Sequence, residues 1–231
     1  MKIIETTPEA LLGPLNEVEE RNAPKRLFLA GDGSLLSRGP RVSIVGSRAA
    51  SSDGEKRASY LARALVRREI IVVSGLAMGI DRVAHVTTIE ARGRTIAVLG
   101  TPLDKTYPSE NAGLQASIID KHLAVSQFPL GTPTTKQCFP QRNRTMALLT
   151  DATVIVEAAD SSGTLHQGWE ALRLGRSLFI MDSVAKDSSL SWPEEMISYG
   201  AQVLSRENLE ATLDDLPLLA SRAALDLAEL A

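Results

Sequence analysis

Short runs of Val, Ile and Leu, each divided from the next by a stretch of helical periodicity, constrain this chain more than any other feature. The runs are Val42–Val45, Ile70–Val73, Thr95–Leu99, Leu123–Val125, Thr153–Val156 and Leu178–Met181. Apolar runs of this length, with little polar alternation, are strands covered on both faces. Helical spacing fills the intervals at Gly54–Arg68, Ile80–Arg92, Ser109–Lys121, Gln141–Leu149 and Gly163–Leu174. Strand–helix alternation of this kind predicts an α/β fold, with a mostly parallel sheet and helices on both faces. Chirality makes each crossover right-handed.

Both ends of the chain depart from the alternation. Residues 1–40 read as an N-terminal extension, with a helix over Thr7–Glu20 and a hairpin turn at Gly31-Asp-Gly33. Residues 41–182 carry the alternation. Residues 183–231 read as a C-terminal helical extension packed on the core. It holds short helices at Trp192–Tyr199 and Glu207–Leu213, an edge strand at Ala201–Leu204 and an Ala/Leu-rich tail over Leu216–Leu230.

Composition narrows the function classes. Apolar residues make up 44% of the 231, enough for a substantial core, and aromatics only 4%. The formal net charge is −3, so any nucleic-acid binding has to come from a local patch. The single cysteine, Cys138, excludes an internal disulfide and a Cys-rich zinc site. No apolar run reaches membrane-spanning length and no leader segment is evident, so a cytoplasmic protein is expected.

In an open parallel sheet, ligands sit beyond the carboxyl ends of the strands. Here those ends carry Gly46-Ser47-Arg48, Ser74-Gly75, Gly100-Thr101-Pro102 and Ser161-Ser162-Gly163-Thr164. Glycines let backbone amides approach an anion, hydroxyls add donors, and helix N-termini add partial positive charge. Tight strand-to-helix turns use glycine in any case, but four such loops on one edge point to an anion or phosphate site. None is a GxGxxG or Walker A motif, so no nucleotide cofactor is expected. Arg48 is placed to project over this edge, though it also suits a helix-start salt bridge. Asp81 is expected to cap the helix that starts near Ile80, with His85 on the same helix face. His166 falls near the site, and no metal site is expected. Tyr107-Pro108 with Asn111 reads as a loop closing over the third strand.

A second signal lies in KQCFPQRNR, Lys136–Arg144. The segment Lys121–Thr150 holds no Asp or Glu, so Lys121, Lys136, Arg142 and Arg144 form a local positive island. Guanidinium forks fit phosphate oxygens, and Phe139 offers a face to a base. The same run also suits a solvated basic helix start.

Several segments, in order, resemble the DNA-processing protein A family (DprA, also called Smf). They are VSIVGSR at 42–48, VVSGLAMGIDRVAH at 72–85, TIAVLGTPLDKTYPSEN at 95–111, SQFPLGTP at 126–133, FPQRNRTMALL at 139–149 and VIVEAADSSGTL at 154–165. The resemblance implies an extended Rossmann-like fold that binds single-stranded DNA and takes part in DNA processing, uptake in natural transformation, and recombination. It implies a homodimer and a RecA-type recombinase as partner. By position, Arg48, Lys136, Phe139, Arg142 and Arg144 would line the strand-binding pocket, with Ser162, Gly163 and Thr164 facing a phosphate. Gly46, Ser47, Ser74, Gly75 and Asn143 are counted with them as nucleic-acid- or phosphate-binding candidates. Many members also carry an N-terminal helical domain and a C-terminal winged-helix domain, which residues 1–40 and 183–231 do not match, so a shortened relative is expected.

The chief alternatives are a sensor of a small nucleotide and a nucleotide phosphoribohydrolase-like enzyme. The latter signature, GGxGTxxE, is met here only at Gly163-Thr164. Gln167 stands in place of the acid, and an amide does not exchange a proton as a carboxylic acid does. No catalytic residue is therefore assigned.

Overall fold

The structure, a computed structural model, describes residues 2–216. Its strands are β1 (Ile3–Thr6), β2 (Leu27–Gly31), β3 (Arg41–Gly46), β4 (Ile71–Ser74), β5 (Thr95–Leu99), β6 (Leu123–Ser126), β7 (Ala152–Glu157), β8 (Ser177–Met181) and β9 (Gln202–Leu204). Its helices are α1 (Pro8–Leu12), α2 (Glu17–Glu20), α3 (Ser52–Arg67), α4 (Ile80–Glu90), α5 (Ala112–Lys121), α6 (Cys138–Leu148), α7 (Thr164–Arg173), α8 (Asp182–Ala185), α9 (Trp192–Ser198) and α10 (Leu209–Asp214). The strands form one sheet in the order β1-β2-β6-β5-β4-β3-β7-β8-β9. Pairing is parallel from β6 through β9, while β1 pairs with β2, and β2 with β6, antiparallel. The expected α/β class, mostly parallel with helices on both faces, is the class observed.

Alternate residues of each run pack on opposite faces. Val45, Ile71, Val73, Val98 and Ile155 join one cluster with Met146 of α6 and Met196 of α9. Val42, Ile44, Val72, Val154 and Val156 join another with Leu61 and Leu65 of α3 and Ile80 of α4. Both faces are closed, so the strands can be apolar throughout.

The N-terminal segment differs from its expectation. The single helix over Thr7–Glu20 is two short ones. Thr7 caps the first, whose chain leaves through Gly13 at φ 80°; Asn16 caps the second in a reciprocal box with Glu19. No hairpin forms at Gly31-Asp-Gly33. β2 runs instead between β1 and β6, and Gly33–Leu36 is a 3-10 turn started by the Asp32 side chain. Gly31 has φ 108°, and a Cβ there would lie 2.1 Å from the His122 carbonyl oxygen. Pairing with β6, rather than a local turn, therefore fixes this glycine.

Both extensions are joined to the same sheet. Arg176 pairs with Glu19 of α2 at 2.5 Å, both buried. Buried Arg41 donates to the Leu149 carbonyl at 2.8 Å and to the Leu36 carbonyl, tying the 3-10 turn to the start of β3. At the other end, β9 pairs with β8, and α10 packs Leu209 and Leu213 into the α3 face. The expected tail beyond Leu216 lies outside the described residues.

His85 sits fully buried on α4. Thr95 Oγ1 donates to the Val72 carbonyl at 2.8 Å, so at 2.7 Å it accepts from His85 Nδ1. Burial pulls the imidazole down to about 3, and burial also lowers His122. The folded pKa lies below the unfolded one, so this stabilisation is complete above about pH 6.5 and is lost as pH falls toward 3. Urea unfolding of the wild type should show stability falling between about pH 6.5 and 5, by up to about 1.4 kcal/mol per unit from His85. His85→Gln should flatten that slope; an unchanged slope would show that the buried imidazole is not its source.

Candidate nucleic-acid interface

β3 is the strand from which the chain builds outward twice. It proceeds through β4, β5 and β6 on one side, then returns to β7, β8 and β9 on the other. The carboxyl ends of β3 and β7 thus frame the switch point, where an open sheet leaves a crevice. The register between them shifts at Val45/Gly46, a bulge that turns the chain into Ser47-Arg48.

A cavity of about 430 Å³ fills this crevice. Nine of the thirteen residues assigned to the site line it: Gly46, Ser47, Arg48, Phe139, Arg142, Asn143, Ser162, Gly163 and Thr164. Ala77, Asp81, Met146 and His166 also line it. Four chain segments meet here through the sheet order. They are the β3–α3 turn, the loop from β4 into α4, the first turns of α6 and the loop that opens α7.

The loop before α7 is fastened on two sides. Thr164 Oγ1 donates to the Gly46 carbonyl at 3.0 Å, and Asn143 Nδ2 donates to the Gly163 carbonyl at 3.0 Å. Ser162 Oγ accepts from Thr164 N at 3.2 Å, which leaves its own proton free to be donated. The positive end of the ten-residue α7 faces the cavity from here. Arg48 is exposed at the rim, its guanidinium carbon 5.3 Å from the centre of the half-buried Phe139 ring. That is cation–π range, and it holds a solvated cation in place. Phe139 can lie there because Gly100 has no side chain; a Cβ would come within 2.7 Å of the ring.

The positive island does not survive as one surface. Arg142 is buried, and donates to Asn143 Oδ1 at 2.8 Å, to the Val98 carbonyl at 3.0 Å and to the Gly75 carbonyl. Burial pulls this guanidinium below its ordinary pKa; the Asp81 carboxylate opposes that effect and Arg48 adds to it. Lys121, Lys136 and Arg144 are exposed and outside the cavity lining. Residues 142 and 144 are two apart on a helix, so they point away from each other. The two-residue spacing on the helix expected at Gln141–Leu149 already separates the two arginines; which of them is buried does not show in the string of cations.

Ser74 and Gly75 are engaged in structure. Ser74 Oγ donates to the Ile44 carbonyl at 2.7 Å, and Gly75 N donates to Asp81 Oδ2 at 3.1 Å. A Cβ on Gly75 would lie 1.9 Å from Arg142 Nη1, so the glycine clears space for the guanidinium. Asp81 does not cap its own helix, because Gly79 holds the N-cap position. It turns back to accept from Gly75 and Ala77, and burial raises its pKa against the pull of Arg142. Gln167 is fully buried at the cavity floor, hydrogen-bonded to Thr153 Oγ1 at 3.2 Å. Tyr107, read from sequence only as part of a loop, packs against Phe139 with ring centroids 5.3 Å apart and the rings tilted by 47°.

The model of one protein family, DNA recombination-mediator protein A, matches residues 8–216. The chain belongs to that family. It is 34% identical over 181 residues to the DNA processing protein DprA of Bacillus subtilis, covering 78% of this chain and 61% of that one. It spans about half to two thirds of the length of the curated relatives it matches. Among solved structures, DNA processing protein A from Streptococcus pneumoniae superposes with a TM-score of 0.80 at 32% identity, over 94% of this chain and 75% of that one. The Helicobacter pylori family member, described for its unique single-stranded DNA binding mode, gives 0.76 at 26%, over 92% and 97%.

Replacing Gly75 with Ala should force Arg142 out of its seat and cost about 3–5 kcal/mol, the scale for disrupting a buried charge network. Arg144→Ala should change stability by less than about 0.5 kcal/mol, as exposed substitutions do. Urea unfolding of the two variants checks both; equal stabilities would refute the division between buried and exposed cations.

Proposed function

We propose that this protein binds single-stranded DNA across the β3/β7 crevice and takes part in DNA processing, uptake in natural transformation, and recombination. The observation that carries this reading is the exposed Arg48 held against the Phe139 ring at the mouth of a glycine-floored cavity at the switch point. A cation for phosphate beside a face for a base is the pairing that grips a strand without reading its sequence. The likeness to the Helicobacter pylori protein supports the same ligand. Arg48, the Ser162 hydroxyl and the α7 N-terminus face the backbone, and Phe139 meets a base. Lys136, exposed in the turn before α6, and Arg144, exposed on α6, attract the strand as it leaves.

Binding falls to the core of residues 41–182, with 1–40 and 183–231 as extensions of the same sheet. The working form is a homodimer that hands its strand to a RecA-type recombinase in the cytoplasm. Among the described residues no helix is long and apolar enough to cross a membrane. The protein binds and does not turn over its ligand. A phosphoribohydrolase needs a carboxylic acid where Gln167 stands, and that amide is bonded into the floor.

Fluorescence anisotropy with a thymidine oligomer, across about 50 to 200 mM salt, tests the reading. Three or four phosphate contacts should give a log–log slope of about −2 to −3. Arg48→Ala should weaken binding about 10- to 100-fold and lower the slope by about 0.7. Full affinity in Arg48→Ala would overturn the reading. So would tight binding of mononucleotides with none of the oligomer, or release of free base from them.

A further inference from the structure

Beyond the Phe139 ring a second hollow of about 120 Å³ opens toward the ends of β4 and β5. Arg48, Ala77, Phe139 and Arg142 line both it and the larger cavity. The Phe139 ring, with Arg48 over it, is therefore a partition between two compartments. Tyr107 forms the far wall of the smaller one, its ring tilted 47° to that of Phe139. The compartment has room for about four waters, so it accepts part of a planar ring and not a whole nucleotide.

Tyr107 is 53% exposed. An exposed ring by itself carries little meaning. This one is carried on a loop fastened on both sides. Before it, the Lys105 carbonyl accepts from Thr101 Oγ1 at 2.9 Å and from Gln115 Nε2 at 3.2 Å. After it, Asn111 Nδ2 donates to the Leu76 carbonyl at 2.9 Å, and Arg82 Nε donates to Asn111 Oδ1 at 3.1 Å. The loop thus presents an aromatic face to solvent at a set distance from a second ring and a cation. Stacking on such a fixed face loses little side-chain freedom.

We infer that Tyr107 is a second base-stacking platform: one nucleotide occupies the larger cavity, and the base of its neighbour on the strand passes the partition and stacks on Tyr107. The inference rests on the strand-binding reading. It adds a contact residue and makes two adjacent nucleotides the smallest ligand that fills the site.

The test measures affinity for thymidine 5′-phosphate and for thymidine oligomers of two, four and six nucleotides. Wild type, Tyr107→Ala, Tyr107→Phe and Arg48→Ala are compared, with circular dichroism confirming the fold of each. Tyr107→Ala should match wild type on the mononucleotide and lose about 5- to 100-fold on the oligomers, the range for losing one base stack. Tyr107→Phe should keep wild-type affinity, because the ring is what acts. Stacking releases no counterions, so the salt slope should be the same with and without the tyrosine. On an oligomer of abasic deoxyribose phosphates, wild type and Tyr107→Ala should bind equally. Equal oligomer affinity in wild type and Tyr107→Ala, with Arg48→Ala weakened, would overturn this inference and leave the strand-binding reading standing. Full binding by Arg48→Ala, or no oligomer binding by wild type, would overturn both.

Discussion

The Arg142 guanidinium reaches from α6 across the ends of β4 and β5 and donates to the Gly75 and Val98 carbonyls. Those carbonyls lie where two parallel strands turn away from each other and their ladder runs out. Buried acceptors left unmatched there would be costly. A planar fork with five donors can serve both strands and Asn143 at once, which a lysine ammonium on its flexible stem does not do with the same geometry. α6 is thereby fixed relative to the sheet. Phe139, three residues earlier and near the same helix face, is fixed with it, and Asn143 carries the constraint on to the Gly163 loop. The distances between the β3 turn, α6 and the α7 loop all follow from this one seat.

A charge in that position needs compensation. Asp81 supplies it, and the same carboxylate accepts from two amides of the loop after β4. A buried pair of this kind adds little net stability compared with an apolar equivalent, yet is expensive to break. Its value here is positional. Arg48, the other arginine of the cavity, is in solvent, steadied by an aromatic face. One cation is structural and the other is available to a ligand, though sequence patterning gives them equal weight.

The sheet was legible because closed faces impose apolar runs, and every run from Val42 to Met181 is a strand within a residue or two of its expected ends. The first forty residues were not. β2 is a strand because β6 lies beside it, and the contact of Gly31 with the His122 carbonyl spans 91 positions. Local turn chemistry alone favoured a hairpin. The site was legible as a set of loops, since strand ends collect at one edge in any such sheet. The internal commitments of those loops were hidden. Ser74 and Gly75 have the composition of an anion site, but the first is directed inward by the Ile44 carbonyl thirty residues away and the second lies against the fork of Arg142. The Phe139–Tyr107 contact depended on Gly100, whose significance is a missing Cβ and not a turn.

These inward commitments determine what kind of binding the crevice can support. Once Ser74, the Gly75 amide, Thr164 Oγ1 and the Arg142 fork are engaged with the protein, few groups face outward. Among them are Arg48, the Ser162 hydroxyl, the α7 N-terminus and the exposed faces of two aromatic rings, with exposed Ser161 and His166 also at the lining. Rings stack on any base, and the cation and hydroxyl meet phosphate, which every nucleotide carries. A net charge of −3 gives the chain as a whole no long-range attraction to nucleic acid, so any attraction is local. On the strand-binding reading, its hold on a strand is short-range and shared between a few phosphates and stacked bases.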